Sequence, residues 1–115
     1  MHEQEPIDYS KGLLEFANNE VIFKQSLQQF VRSLPIYALS LREYLAREDY
    51  QGIRAATHKL CGAALNITAY PIGRIAEELN EKLDVLSNDE INKSIEQLEE
   101  AIDQIQKYVQ NKNLL

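Results

Sequence analysis

The chain has 115 residues, 26% of them charged, and a net charge of −6 at neutral pH. That length suits one domain with a single modest core, and the acidic balance disfavours nucleic acid and anionic membrane surfaces as partners. A single cysteine rules out an intrachain disulfide framework and suits a reducing, cytoplasmic setting.

No run of eighteen apolar residues occurs, and the polar start Met1-His2-Glu3-Gln4-Glu5-Pro6 reads as neither a signal peptide nor a membrane span. With four glycines, three prolines and no persistent alternation, the pattern predicts an all-α protein. Residues 1–6 read as a flexible leader and residues 7–115 as one helical domain. A short helix around 7–17 is expected to lay Ile7, Leu14 and Phe16 over the core as a lid. Asn18 or Asn19 can cap the next helix, in which Phe23, Leu27, Phe30 and Leu34 recur at helical spacing. Pro35 is expected to interrupt that helix. With Ser33 as cap and Pro35 in a first turn, a new helix then runs to about Arg47 on Ala38, Leu41 and Leu45.

Asp49 is placed to cap a helix that runs to about Asn66, and Pro71 sits in the first turn of the next one, with Ile72, Ile75, Ala76, Leu79, Leu83 and Leu86 inward. Ser87-Asn88-Asp89-Glu90 is a capping box, in which Ser87 and Glu90 each satisfy an orphan backbone donor. The last helix carries a clean apolar stripe of Ile91, Ile95, Leu98, Ile102, Ile105 and Val109. Short connections favour antiparallel neighbours. The expected architecture is an antiparallel up-down four-helix bundle with a short extra N-terminal helix.

His58 stands out chemically. On its helix, Ile53, Ala56, Thr57, Leu60, Ala63, Ala64 and Ile67 form one stripe, and His58 projects about 150° from the centre of it. Ala55 and Gly62 flank it. A glycine inside a helix costs roughly 0.5–1 kcal/mol relative to alanine, so Gly62 needs a reason. Clearing space for another molecule beside the imidazole is one. An imidazole with a free lone pair near neutral pH can act as a nucleophile and carry a covalent intermediate. Arg54, one turn back, and Lys59, the next residue, are the nearby cations. Leu65 projects to the same side and can begin an apolar docking patch. No Ser-His-Asp order, phosphate loop or Glu-x-x-His motif is present, and two histidines with one cysteine make a metal site improbable.

The string His58-Lys59-Leu60-Cys61-Gly62-Ala63-Ala64, followed by Asn66, resembles the signature of histidine-containing phosphotransfer (HPt) domains of two-component phosphorelays. Their pattern is His, any residue, Leu, Lys, Gly, then small residues and Asn-Leu-Gly. Here Cys61 stands where the family has lysine, Ile67 where it has leucine, and Thr68 where it has the second glycine. The cysteine leaves the cation that meets the phosphoryl group unassigned, while the threonine is expected only to reshape a helix end. The resemblance implies a phosphocarrier without autonomous catalysis, phosphorylated on Nε2 of His58. It also implies that Asn80 faces the imidazole.

The implied partners are receiver domains of a hybrid sensor kinase or response regulator. The receiver supplies Mg²⁺ and the acidic pocket, and no cofactor is expected on this chain, which is expected to be a monomer. The alternative is an HPt-like module that has lost transfer and blocks a kinase or receiver by binding. The replacement of lysine by Cys61 is what supports it.

Overall fold

The computed structural model describes residues 5–114. Short polar side chains set most helix starts, as N-cap chemistry requires. Asp8 accepts from Lys11 N ahead of α1 (Tyr9–Glu15), and Asn19 from Ile22 N ahead of α2 (Glu20–Ala46). Asp49 accepts from Gly52 N ahead of α3 (Tyr50–Asn66). No side chain caps α4 (Tyr70–Lys82), which instead carries Pro71 in its first turn. Before α5 (Asn88–Asn111) the capping box is complete, with Glu90 N donating to Ser87 Oγ at 3.2 Å and Ser87 N to Glu90 Oε1 at 2.9 Å.

Helix α2 differs from expectation. It runs unbroken through Pro35, and Ser33 starts nothing: its hydroxyl donates to Phe30 O at 2.6 Å within the same helix. Proline in a helix interior costs about 3 kcal/mol. Pro35, however, stands on the exposed side, and the buried residues Phe30, Leu34, Ala38 and Leu41 continue in register across it. Burying one leucine contributes roughly 1.5–3 kcal/mol, so the stripe outweighs the missing hydrogen bond.

The lid also differs. Ile7 is buried and Phe16 half-buried, but Leu14 is 67% exposed. Gly12 marks the inward side of α1, since a Cβ there would lie 2.5 Å from the Phe23 ring. Leu14 follows about 200° further round the helix and faces out. Tyr9 and Phe16 close over Phe23 instead, with ring centroids 5.1 and 5.3 Å away.

The four long helices close a ring of contacts, α2 on α3, α3 on α4, α4 on α5 and α5 on α2. Inside it lie Ile53, Thr57, Leu60 and Ala64 of α3, Ile72, Ala76 and Leu79 of α4, and all six residues of the α5 stripe. Arg42 fastens α2 to α5, donating to both carboxylate oxygens of Glu99, at 3.1 and 2.7 Å, and to Asn92 Oδ1. Among the described residues there is no strand, and no helix is long and apolar enough to cross a membrane. Residues 1–4 of the expected leader, His2 included, lie outside the described residues.

Between α3 and α4, Thr68 keeps the left-handed turn that glycine would give, at φ 60°, although its side chain is β-branched and buried. The strain of such a residue is about 1–3 kcal/mol. It is offset locally, because Thr68 Oγ1 donates to Asp8 O at 2.7 Å and Asp8 N donates to Thr68 O at 3.0 Å. The hydroxyl and the backbone of Thr68 thus clip the segment before α1 to the bundle at the end of α3.

Candidate functional site

The site begins with the two sides of α3. Ile53, Thr57, Leu60 and Ala64 turn into the core, which leaves His58, Lys59 and Gly62 on the exposed side. Among the described residues the His58 imidazole has no hydrogen-bond partner within the chain. Gly62 is unlike the other glycines. A Cβ at Gly12, Gly52 or Gly73 would press against a neighbour at 3.1 Å or less, whereas one at Gly62 meets nothing within 4 Å. Packing within the chain does not require glycine there.

On one side of His58, α3 is knitted to α4. Arg54 Nη1 donates to Asn80 O at 3.1 Å, and Nη2 pairs with Asp84 Oδ1 at 2.8 Å. Asn80 Nδ2 donates in return to Arg54 O at 2.8 Å and to Thr57 Oγ1 at 3.0 Å. Both N–H groups of the Asn80 amide are thus directed at α3 itself, and Arg54 is held by α4. Of the residues that a helical wheel puts on one polar face, Glu77 and Asp84 are exposed, Asn80 is half-buried and Gly73 is buried. Gly73 is closed over by Leu65, whose Cδ2 would lie 3.1 Å from a Cβ added there, while Leu65 itself remains 45% exposed.

Cys61 is half-buried on this same flank. Burial pushes its thiol up from the ordinary value, and the carboxylates of Glu77 and Glu81 push it further the same way. The group stays neutral near pH 7 and supplies no positive charge. The position where the resemblance expects lysine is uncharged, with acidic side chains nearby.

The other flank faces α2. There Ile36, Tyr37 and Tyr44 of α2 and Ala55, Ala56 and Lys59 of α3 line an open cleft of about 460 Å³. Ile36 is 66% exposed on its rim. Lys59 has no carboxylate within ion-pair distance among the described residues.

The structure adds two features to the site. The Arg54–Asp84 pair joins helices through their relative register, for which the linear spacing carries no signal. Ile36, by contrast, leaves a trace, because it is a large apolar residue outside the buried stripe of α2. Comparison with curated proteins and with solved structures returns no match to this chain. The Hpt domain family model does match, over residues 25–108, which takes in most of α2, all of α3 and α4, and α5 as far as Tyr108. With His58 exposed within that span, the chain belongs to the Hpt domain family, the histidine-containing phosphotransfer modules of phosphorelays.

Proposed function

We propose that the protein is a phosphocarrier in which His58 takes a phosphoryl group from the aspartyl phosphate of one receiver domain and passes it to the aspartate of another. One observation carries this reading. Within the span that matches the family, the exposed imidazole lies beside a glycine that no contact of its own chain demands. In the forward step the lone pair of Nε2 attacks phosphorus, the Nε2–P bond forms, and the bond from phosphorus to the aspartyl oxygen breaks as the carboxylate leaves. The return step is its reverse with a second receiver. Such transfer needs in-line positioning and stabilisation of charge on the phosphoryl oxygens. The receiver brings Mg²⁺ and its acidic pocket, while this chain offers an accessible nucleophile and a docking face, and has no turnover of its own.

The arrangement suited to this is an antiparallel up-down four-helix bundle acting as a monomer in the cytoplasm. The ring of contacts from α2 to α5 and the short connections at 47–49, 67–69 and 83–87 support the topology. For docking, the cleft between α2 and α3, with Ile36 on one side of His58 and Leu65 on the other, suits the apolar surface of a receiver. Incubation with a ³²P-labelled phospho-receiver is expected to give acid-labile, alkali-stable label on this chain. His58→Gln, at an exposed position, is expected to fold as the wild type does and to take none. Label retained by that variant would sink the reading.

A further inference from the structure

We propose that Lys59 is the cation that meets the phosphoryl group on His58, reaching it across the bare strip formed by Ala55 and Gly62. This rests on the reading of His58 as phosphoacceptor. Two basic residues, Arg54 and Lys59, flank the imidazole together with position 61, and the structure separates the three. Position 61 holds a thiol. Arg54 is engaged by α4 through Asp84 and the Asn80 carbonyl, so drawing it to the phosphoryl group would break a 2.8 Å ion pair. Lys59 is exposed and unpaired among the described residues.

The order of residues around α3 favours it as well. At about 100° per residue, Gly62 and Ala55 lie roughly 40° and 60° from His58, on the side of Lys59 at about 100°. Arg54, Cys61 and Leu65 lie on the opposite side, toward α4. Between the imidazole and the lysine stem there is thus a single methyl group and a residue with no side chain. The open space at Gly62 is the path along which a flexible four-carbon stem brings its ammonium to the phosphoryl oxygens. On the other side, the carboxylates of Glu77 and Glu81 act on position 61 and would oppose a phosphoryl dianion. Lys59 and Gly62 work as a unit, one supplying charge and the other the room for it.

Potassium phosphoramidate tests this without a receiver. Its P–N bond breaks as the Nε2–P bond forms, and ammonia leaves. Phosphorylation of the full chain is followed by ³¹P NMR. At low salt Lys59→Ala is expected to react about fivefold more slowly than wild type, with the gap closing at high salt. Lys59→Arg should retain most of the rate, as should Cys61→Lys placed in the Lys59→Ala background. Lys93→Ala, an exposed charge on α5, controls for net charge and should match wild type. A second readout is the titration of the phosphoryl group on His58, which should move to higher pH in Lys59→Ala and return in Lys59→Arg. Equal rates and an unmoved titration in Lys59→Ala overturn the role of Lys59 while His58 stands, and so does a larger loss in a folded Arg54→Gln than in Lys59→Ala. If wild type gains no phosphohistidine at position 58, the reading of His58 falls and the role of Lys59 with it.

Discussion

The side-chain amide of Asn80 donates at 2.8 Å to the main-chain oxygen of Arg54, the carbonyl that also receives the N–H of His58 in the ladder of α3. Asn80 therefore acts on the histidine through the backbone turn that carries it. The same amide reaches Thr57 Oγ1, whose hydroxyl donates to Ile53 O at 2.8 Å, so a short polar chain runs from α4 into the otherwise apolar inner face of α3.

Asn80→Ala removes two interhelical hydrogen bonds without changing any charge. A net loss of about 1–2 kcal/mol is expected, seen as a lower midpoint in urea denaturation. Amide hydrogen exchange at His58 should quicken more than exchange in α5. Asn80→Asp should be worse, because it sets a carboxylate against the Arg54 carbonyl. An Asn80→Ala protein with unchanged stability and exchange would remove the amide from any part in holding this turn.

Gly62→Gln should raise stability by a few tenths to about 1 kcal/mol, since glutamine is the better helix former and a side chain there meets open space. Transfer from a phospho-receiver should fall even so, because the new side chain occupies the space beside the imidazole. Stability and transfer thus move in opposite directions. Wild-type transfer in this variant would mean that the glycine does not serve access.

Thr68 offers a comparison of two small replacements. Thr68→Ala loses the 2.7 Å hydrogen bond to Asp8 O while keeping a Cβ at φ 60°; Thr68→Gly loses the same bond but relieves the backbone. Glycine should therefore be the milder change, by about 1 kcal/mol in thermal or denaturant unfolding. The reverse order would show that the left-handed turn is not the dominant cost at this position.

The Arg42–Glu99 pair predicts one part of the acid response. The Arg42 guanidinium holds the Glu99 carboxyl below its usual range. A depressed folded pKa contributes stability that is fully present above the unfolded value, near 4.5, and lost as pH falls through the folded one. Both side chains are more than a third exposed, so screening limits the contribution to about 1 kcal/mol or less. Glu99→Gln should lower stability at pH 7 by that amount and flatten its decline below pH 4.5. Parallel pH–stability curves for the two proteins would contradict this.

What could be read in advance follows from the range of the forces involved. The stripe of α5, the Asp49 cap and the Ser87–Glu90 box are local, set by spacing within one helix, and all are visible in the linear pattern. The continuity of α2 was not, because a proline rule is local while the stripe that overrides it gains its energy from other helices. Leu14 was misplaced for a related reason. Counting apolar residues cannot show that the buried position of α1 is held by Gly12, a residue with no side chain. At the site, the outward projection of His58 was legible from periodicity, whereas the engagement of Arg54 by Asp84 depends on the register of α4 against α3, which no spacing encodes.

The imidazole of His58, unpartnered among the described residues, bears on the direction of flow in the proposed relay. A histidine held by a carboxylate or carbonyl of its own chain has one tautomer fixed in advance, and with it a preferred approach for a reacting phosphorus atom. Among the described residues no such group engages His58. Under the proposed function it is the docked receiver that would orient the ring, and either of two receivers could do so in turn. In the proposed relay the domain acts as a neutral intermediary. The sense of flow in that relay would be set by the relative free energies of the two aspartyl phosphates and by the supply of each receiver, not by the fold that carries the histidine.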